Sequence, residues 1–170
     1  VAADEGMRVL RSRGTELERD FAFGVVRQLF EPPLAEAAEL ERADLLEGAA
    51  GVAAGLLGLP GAPATEGAPA AGIDPSFAVL HGLYWLTLNL SAEAPLLIAI
   101  DDLHWCDRSS LRFIAYLTRR LDGIPIVVLG SLRTPEAGAD EPLLAELGSD
   151  PGAHLLAPGK PLRRAVETGV

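Results

Sequence analysis

The chain has 170 residues, of which 49% are hydrophobic and 22% charged, enough for one domain with a real core and incompatible with disorder throughout. Its formal net charge is −10 and Lys160 is its only lysine, so no basic face exists to neutralise the phosphates of a duplex, and direct nucleic-acid binding by this segment is excluded. A single cysteine, Cys106, rules out an intramolecular disulfide framework and fits a reducing compartment, with the cytoplasm as the expected location.

The chain opens on Val1 rather than Met, which suggests a piece of something longer. No basic-then-apolar leader pattern follows, and the longest weakly polar run, AAGVAAGLLGLPGAPA, is broken by Gly and Pro well short of the roughly 20 apolar residues of a membrane helix. Met7–Leu10 is a short apolar run before a turn-like Ser-Arg-Gly and predicts a strand. Thr15 and Glu18 then have capping-box spacing, and Phe21, Val25, Val26, Leu29 and Phe30 recur at three and four, which predicts a helix to about Phe30, ended by Pro32 and Pro33. Residues 34–57, rich in Ala, Leu and Glu and diluted by Gly toward the end, predict one helix that frays late. Residues 59–72 are Pro, Gly and Ala with little to bury, a flexible excursion; neither a preceding strand nor a following Gly-Lys-Ser/Thr makes them a phosphate loop.

Asp74 as N-cap and Pro75 at the first helical position open the next helix, with Phe77, Leu80, His81, Tyr84 and Leu88 on one face; His81 is expected there as a core residue without a catalytic role. After Pro95 the run LLIAI is too short for a helix and uniformly apolar, as in a strand buried on both faces of a parallel sheet. Asp107 or Ser109 caps a helix carrying Leu111, Ile114, Ala115, Thr118 and Leu121, with Arg119 and Arg120 near its C-terminal end. Residues 124–131 repeat the buried-strand pattern, a short helix covers about 142–147, and AHLLA at 153–157 is a third buried-looking strand candidate. This alternation predicts a single α/β domain with a mainly parallel sheet.

The chemistry concentrates where LLIAI runs into Asp101 and Asp102. Ligands of parallel α/β sheets collect beyond the carboxyl ends of strands. A carboxylate held rigidly there suits a hard cation such as Mg²⁺, which takes oxygen ligands from one or two acids and completes its shell with water and phosphate. The neighbouring residue points the other way and could orient or polarise an attacking water, a division of labour found at a Walker B strand. Two aspartates can also simply end a strand in a turn, but here LHWCD and a capped helix follow them.

LLIAIDDLHWCDRSSLRFIAYLTRRL resembles the Walker B segment and following helix of the STAND-type, AAA+-related ATPase domain of large LuxR-type transcriptional regulators. RVLRSRGTELERDFAFGVVRQLFEPPL and LHGLYWLTLNL are similar to the segments preceding it in that family, in the same order, and IVVLGSLRTPE to its next strand, so the likeness runs from about residue 6 to 162. The resemblance implies a partial P-loop NTPase-like three-layer core, with Mg²⁺ and ATP as cofactors. It implies Asp101 in the Mg²⁺ shell, Asp102 as the group activating water, and Ser131 or Arg133 sensing the γ-phosphate. His104 and Trp105 match the family string as packing or coupling residues, Asp107 as a helix cap and Cys106 as a buried, inert thiol.

One departure is large: no G-x-x-x-x-G-K-[ST] occurs, and Lys160 stands in PGKPL with Pro where Ser or Thr belongs. Without that cradle the two carboxylates repel a nucleotide, so tight ATP binding by this chain alone is not expected. The family's sheet implies a central P-loop strand missing from this segment, an unpaired edge, and with it self-association. The expected partners are therefore ATP and the other domains of a parent regulator, with no membrane. The resemblance thus implies part of an ATP-binding and ATP-hydrolysing regulatory switch module, and two other readings stand beside it: a non-catalytic interaction scaffold on the same fold, and a metal-hydrolase site of Asp101, Asp102, His104 and Asp107.

Overall fold

The computed structural model describes residues 2–59, 75–133 and 140–156. Strand β1 (Arg8–Arg13) is followed by helices α1 (Gly24–Glu36), α2 (Glu39–Leu45), α3 (Gly51–Leu56) and α4 (Pro75–Leu90). Next come β2 (Leu96–Asp101), α5 (Arg108–Thr118), β3 (Ile126–Gly130) and α6 (Glu141–Gly148). The described part of the chain is α/β, with a parallel sheet ordered β1-β2-β3. Registers run from Arg8 opposite Leu96 to Arg13 opposite Asp101, and from Leu96 opposite Ile126 to Ile100 opposite Gly130. The central strand is therefore the one that ends in the acidic pair. Among the described residues no helix is long and apolar enough to cross a membrane.

Strand alternation sorts the sheet into two unequal faces. Leu10, Leu96, Ile98, Ile100 and Ile126 point to one side and join a single core with α1, α4 and α5. Phe30 and Phe113 meet edge to face in that core, with centroids 5.9 Å apart, and Leu34, Leu83, Leu86, Leu90 and Leu117 are sealed around them. Val9, Leu97, Ala99, Val127 and Leu129 alternate onto the opposite side, where Val127 and Leu129 are 53% and 55% exposed. Burial on both faces, expected for the two apolar strands, is thus not found: Leu97 and Ala99 are half-buried and, among the described residues, no second helical layer covers Val127 and Leu129. β1 itself runs past the expected end at Leu10, because β2 supplies backbone partners as far as Arg13 and Asp101 accepts the Gly14 N–H at 2.9 Å.

Several predicted helices have different limits. Thr15 and Glu18 do bond, Oγ1 to Oε2 at 2.9 Å, yet the residues after them form turns and α1 starts only at Gly24. Its N-cap, Phe23, sits in the left-handed region at φ 62°, and Phe21 is 67% exposed rather than in the core. The start is set from a distance: Asp107 accepts from the Phe23 N–H at 2.8 Å and the Val25 N–H at 3.3 Å, while Ser110 Oγ accepts from Val26. Pro32 and Pro33 lie inside α1 instead of ending it. They remove two N–H donors, but the fully buried Leu34 holds the next turn to the core and Pro33 accepts the Ala37 N–H at 3.1 Å.

Residues 34–57 form the end of α1, α2, a 3₁₀ turn at Gly48–Ala50 and α3, not one helix. Ala38 is extended and Gly48 has φ 62°, each breaking the helical path. α4 buries only part of the expected face: Leu80 is buried and Tyr84 and Leu88 pack half-buried against the core, but Phe77 is 48% exposed, His81 is half-buried and the fully buried leucines are Leu83, Leu86 and Leu90. This helix is apolar nearly all round, so its period alone does not select the buried side. Residues 153–156 form no strand and are exposed, with Leu155 at 78% and Leu156 at 84%. The Pro/Gly/Ala excursion beyond Leu59 and the Asp74 cap lie outside the described residues.

Candidate functional site

The end of β2 is shaped by one unusual backbone conformation. Asp102 has φ 55° and ψ 51°, a left-handed geometry that a short polar side chain tolerates better than most. It turns the chain from strand into the 3₁₀ turn Leu103–Trp105, whose Trp105 N–H bonds the Asp102 carbonyl at 2.9 Å. Ser131, just past β3, fastens this bend from the neighbouring strand. Its N–H donates to Ile100 at 3.0 Å, its carbonyl accepts from Leu103 at 2.8 Å, and its hydroxyl accepts from the Asp102 N–H at 3.0 Å and donates to Asp101 Oδ1.

The two acids occupy opposite environments. The Asp101 side chain is 60% exposed. Its carboxyl is held below the ordinary value, first by the Ser131 hydroxyl and then by the Arg13 guanidinium, the Asp102 N–H and Arg133, with desolvation opposing them. The Asp102 side chain is only 12% exposed. Arg13 donates to its Oδ2 from Nε at 3.0 Å and Nη2 at 2.8 Å, and lies 3.8 Å from Asp101 Oδ2. Gly14 follows in chain order, and a Cβ there would meet the Asp102 carbonyl oxygen at 2.5 Å and the Cys106 nitrogen at 2.9 Å, so the bend and β1 are packed backbone to backbone.

The other predicted residues divide cleanly. His104 is 2% exposed, with Nδ1 accepting the Arg133 N–H at 3.3 Å and Nε2 at 3.8 Å from Asp102 Oδ1. Trp105 packs beside it, ring centroids 5.3 Å apart. Asp107 is 3% exposed and caps α5 through the Ser110 N–H at 2.9 Å while holding the start of α1. Cys106 is buried, and desolvation with the nearby Asp107 and Asp102 pushes its thiol up to about 12. Arg133 contributes its backbone to His104 and a weak field to Asp101.

Asp101, Asp102, Ser131 and His104 therefore converge, with Arg133 at the margin, and Asp107 faces away into the helix starts. No group of three or more His, Cys, Asp or Glu side chains that could hold a metal ion exists among the described residues, which removes the four-residue metal-hydrolase arrangement. Among the described residues two shallow clefts lie elsewhere, one beside β1 and α1 at Gln28 and Pro32, the other between α5 and α6 at Arg112 and Leu143. Arg13 is the residue that sequence reasoning missed. It lies 89 positions from its partner, and nothing local distinguishes it from Arg8 or Arg11.

Chemically the site offers two oxygens side by side and open to water, on Asp101 and Ser131, beside a second carboxylate already neutralised by a guanidinium. A comparison of the chain with known protein families, with curated proteins and with solved structures returned no match.

Proposed function

We propose that this chain is the Walker B and sensor side of an ATP-dependent regulatory switch of the LuxR-regulator type, with the phosphate cradle supplied from outside these residues. The observation that carries the reading is the joined pair Asp101 and Ser131 at the tips of adjacent parallel strands, with Asp102 next in the chain. Ligand chemistry belongs at that end of a parallel sheet. The donor set also fits a hard cation, since a carboxylate kept ionised and a hydroxyl are oxygen ligands and the exposed side leaves room for water. Mg²⁺ bound there would neutralise phosphate charge, with Asp101 as its protein ligand. In this reading Ser131 or Arg133 would sense the γ-phosphate, and Asp102 would orient water once free of Arg13.

Further support comes from the sheet. No strand pairs with the outer edge of β3 among the described residues, which suits an additional strand there. The Arg13–Asp102 pair favours the second reading, a non-catalytic scaffold whose acid is permanently neutralised.

Calorimetric titration with Mg-ATP separates the two. This chain alone is expected to show no tight binding, and a longer version including the parent's preceding segment to bind, with Asp101→Ala weakening the Mg²⁺ dependence. Absence of binding in both would overturn the switch and leave the scaffold.

A further inference from the structure

His104 is a buried polar side chain that packing alone does not explain. Its side chain is 1% exposed, and its Nε2 is one of three buried side-chain nitrogens or oxygens without a hydrogen-bond partner among the described residues. The ring's protonation pattern follows from its neighbours. A backbone N–H can only donate, so the bond from the Arg133 N–H at 3.3 Å requires a lone pair on Nδ1 and leaves the single proton of the neutral ring on Nε2. That N–H faces Asp102 Oδ1 at 3.8 Å, too long for a hydrogen bond but with no other polar group in reach.

Asp102 lies between two donors. Arg13, 65% exposed, holds Oδ2 by two bonds, and His104, sealed in the core, presents an unused N–H to Oδ1. Leaving a buried donor unmade is costly, so the inner donor biases the carboxylate to move inward whenever the outer one lets go. A shift of under about 1 Å brings 3.8 Å into bonding range.

We infer that His104 is a positioning residue that provides a second, inner seat for the Asp102 carboxylate and ties that seat to the segment after β3 through the Arg133 N–H. In the outer seat the carboxylate is neutralised by a cation; in the inner one a neutral donor holds it and it keeps its charge. Because the Arg133 amide fixes which ring nitrogen carries the proton, displacement of residues 131–133 would release the tautomer and remove the inner seat. The inference rests on this geometry and not on nucleotide chemistry.

Nitrogen-15 NMR of the whole chain, labelled at histidine, tests it without ligand. The unsubstituted protein is expected to show His104 as the Nε2–H tautomer; the Nδ1–H tautomer, or rapid exchange of both, would overturn the inference. Arg13→Gln is then expected to move the His104 Nε2–H proton downfield and slow its exchange with water, as Oδ1 closes on it. An unchanged resonance in a folded Arg13→Gln protein would sink the two-seat arrangement. His104→Leu, similar in bulk but with no polar atom, offers Asp102 no inner donor. In that background Arg13→Gln is expected to leave the Asp102 amide shift where Arg13→Gln does not place it in the native background, and identical shifts in both would count against His104. Mg-ATP binding plays no part in these readouts, so failure here and failure of the nucleotide switch are separable.

Discussion

Asp107 joins two helix starts that are more than 80 residues apart, and its removal is the sharpest test of how this fold is held. In Asp107→Ala three N–H groups lose their acceptor: Ser110 in its own helix and Phe23 and Val25 at the start of α1. Loss of the α5 cap costs about 1 kcal/mol. The Phe23 bond is short at 2.8 Å and the Val25 N–H is buried, and each stranded donor adds about 1–2 kcal/mol. The sum, about 3–5 kcal/mol, is a large part of the roughly 5–15 kcal/mol available to a domain of this size. Asp107→Asn keeps one acceptor oxygen, enough for Phe23 and Ser110 but not Val25, and should cost about 1–2 kcal/mol. Urea unfolding followed by far-ultraviolet circular dichroism measures both. A loss below about 1 kcal/mol in the alanine variant, or equal losses in the two, would refute the double-cap reasoning.

Gly14→Ala places a Cβ 2.5 Å from the Asp102 carbonyl oxygen, and since that neighbour is backbone the bend must move; thermal unfolding should report a loss of about 1–3 kcal/mol. Cys106, with its thiol pushed up to about 12, should resist a thiol-disulfide reagent in native buffer at mildly alkaline pH and react fully in urea; fast native reaction would contradict its burial. Because Asp101 titrates below its ordinary value of 3.8 when folded, its contribution to stability is present above that pH and is lost as the pH falls through the folded value. Ser131→Ala removes the largest cause, so the Asp101 carboxyl resonance in carbon-13 NMR should titrate at higher pH, and an unmoved midpoint would discount the Ser131 bond.

Much of the architecture was legible because it depends on short-range pattern. The apolar run 96–100, the capped stretch after Asp107 and the run near 126–130 each announce an element within a few residues, and the acidic pair is placed at a strand end by its neighbours alone. Failures occurred where pattern and packing disagreed. Pro32 and Pro33 predicted a stop, but the burial of Leu34 outweighed two lost bonds. The Thr15–Glu18 pair formed without starting a helix, because the acceptor that does start α1 comes from Asp107.

By itself, then, the amino-acid order determined an α/β alternation, a mainly parallel sheet and the location of the two acids at a strand end, since strand and helix preferences act over a few bonds. Only the folded arrangement decided that Arg13 grips Asp102, that of the two acids Asp101 faces water, that His104 lies beneath with an unused proton, and that Val127 and Leu129 on one side of the sheet are exposed among the described residues. The bonds from Arg13 to Asp102, Ser131 to Asp101 and Arg133 to His104 join residues about 30 to 90 positions apart, and their existence depends on registers between strands that no local run of residues can specify.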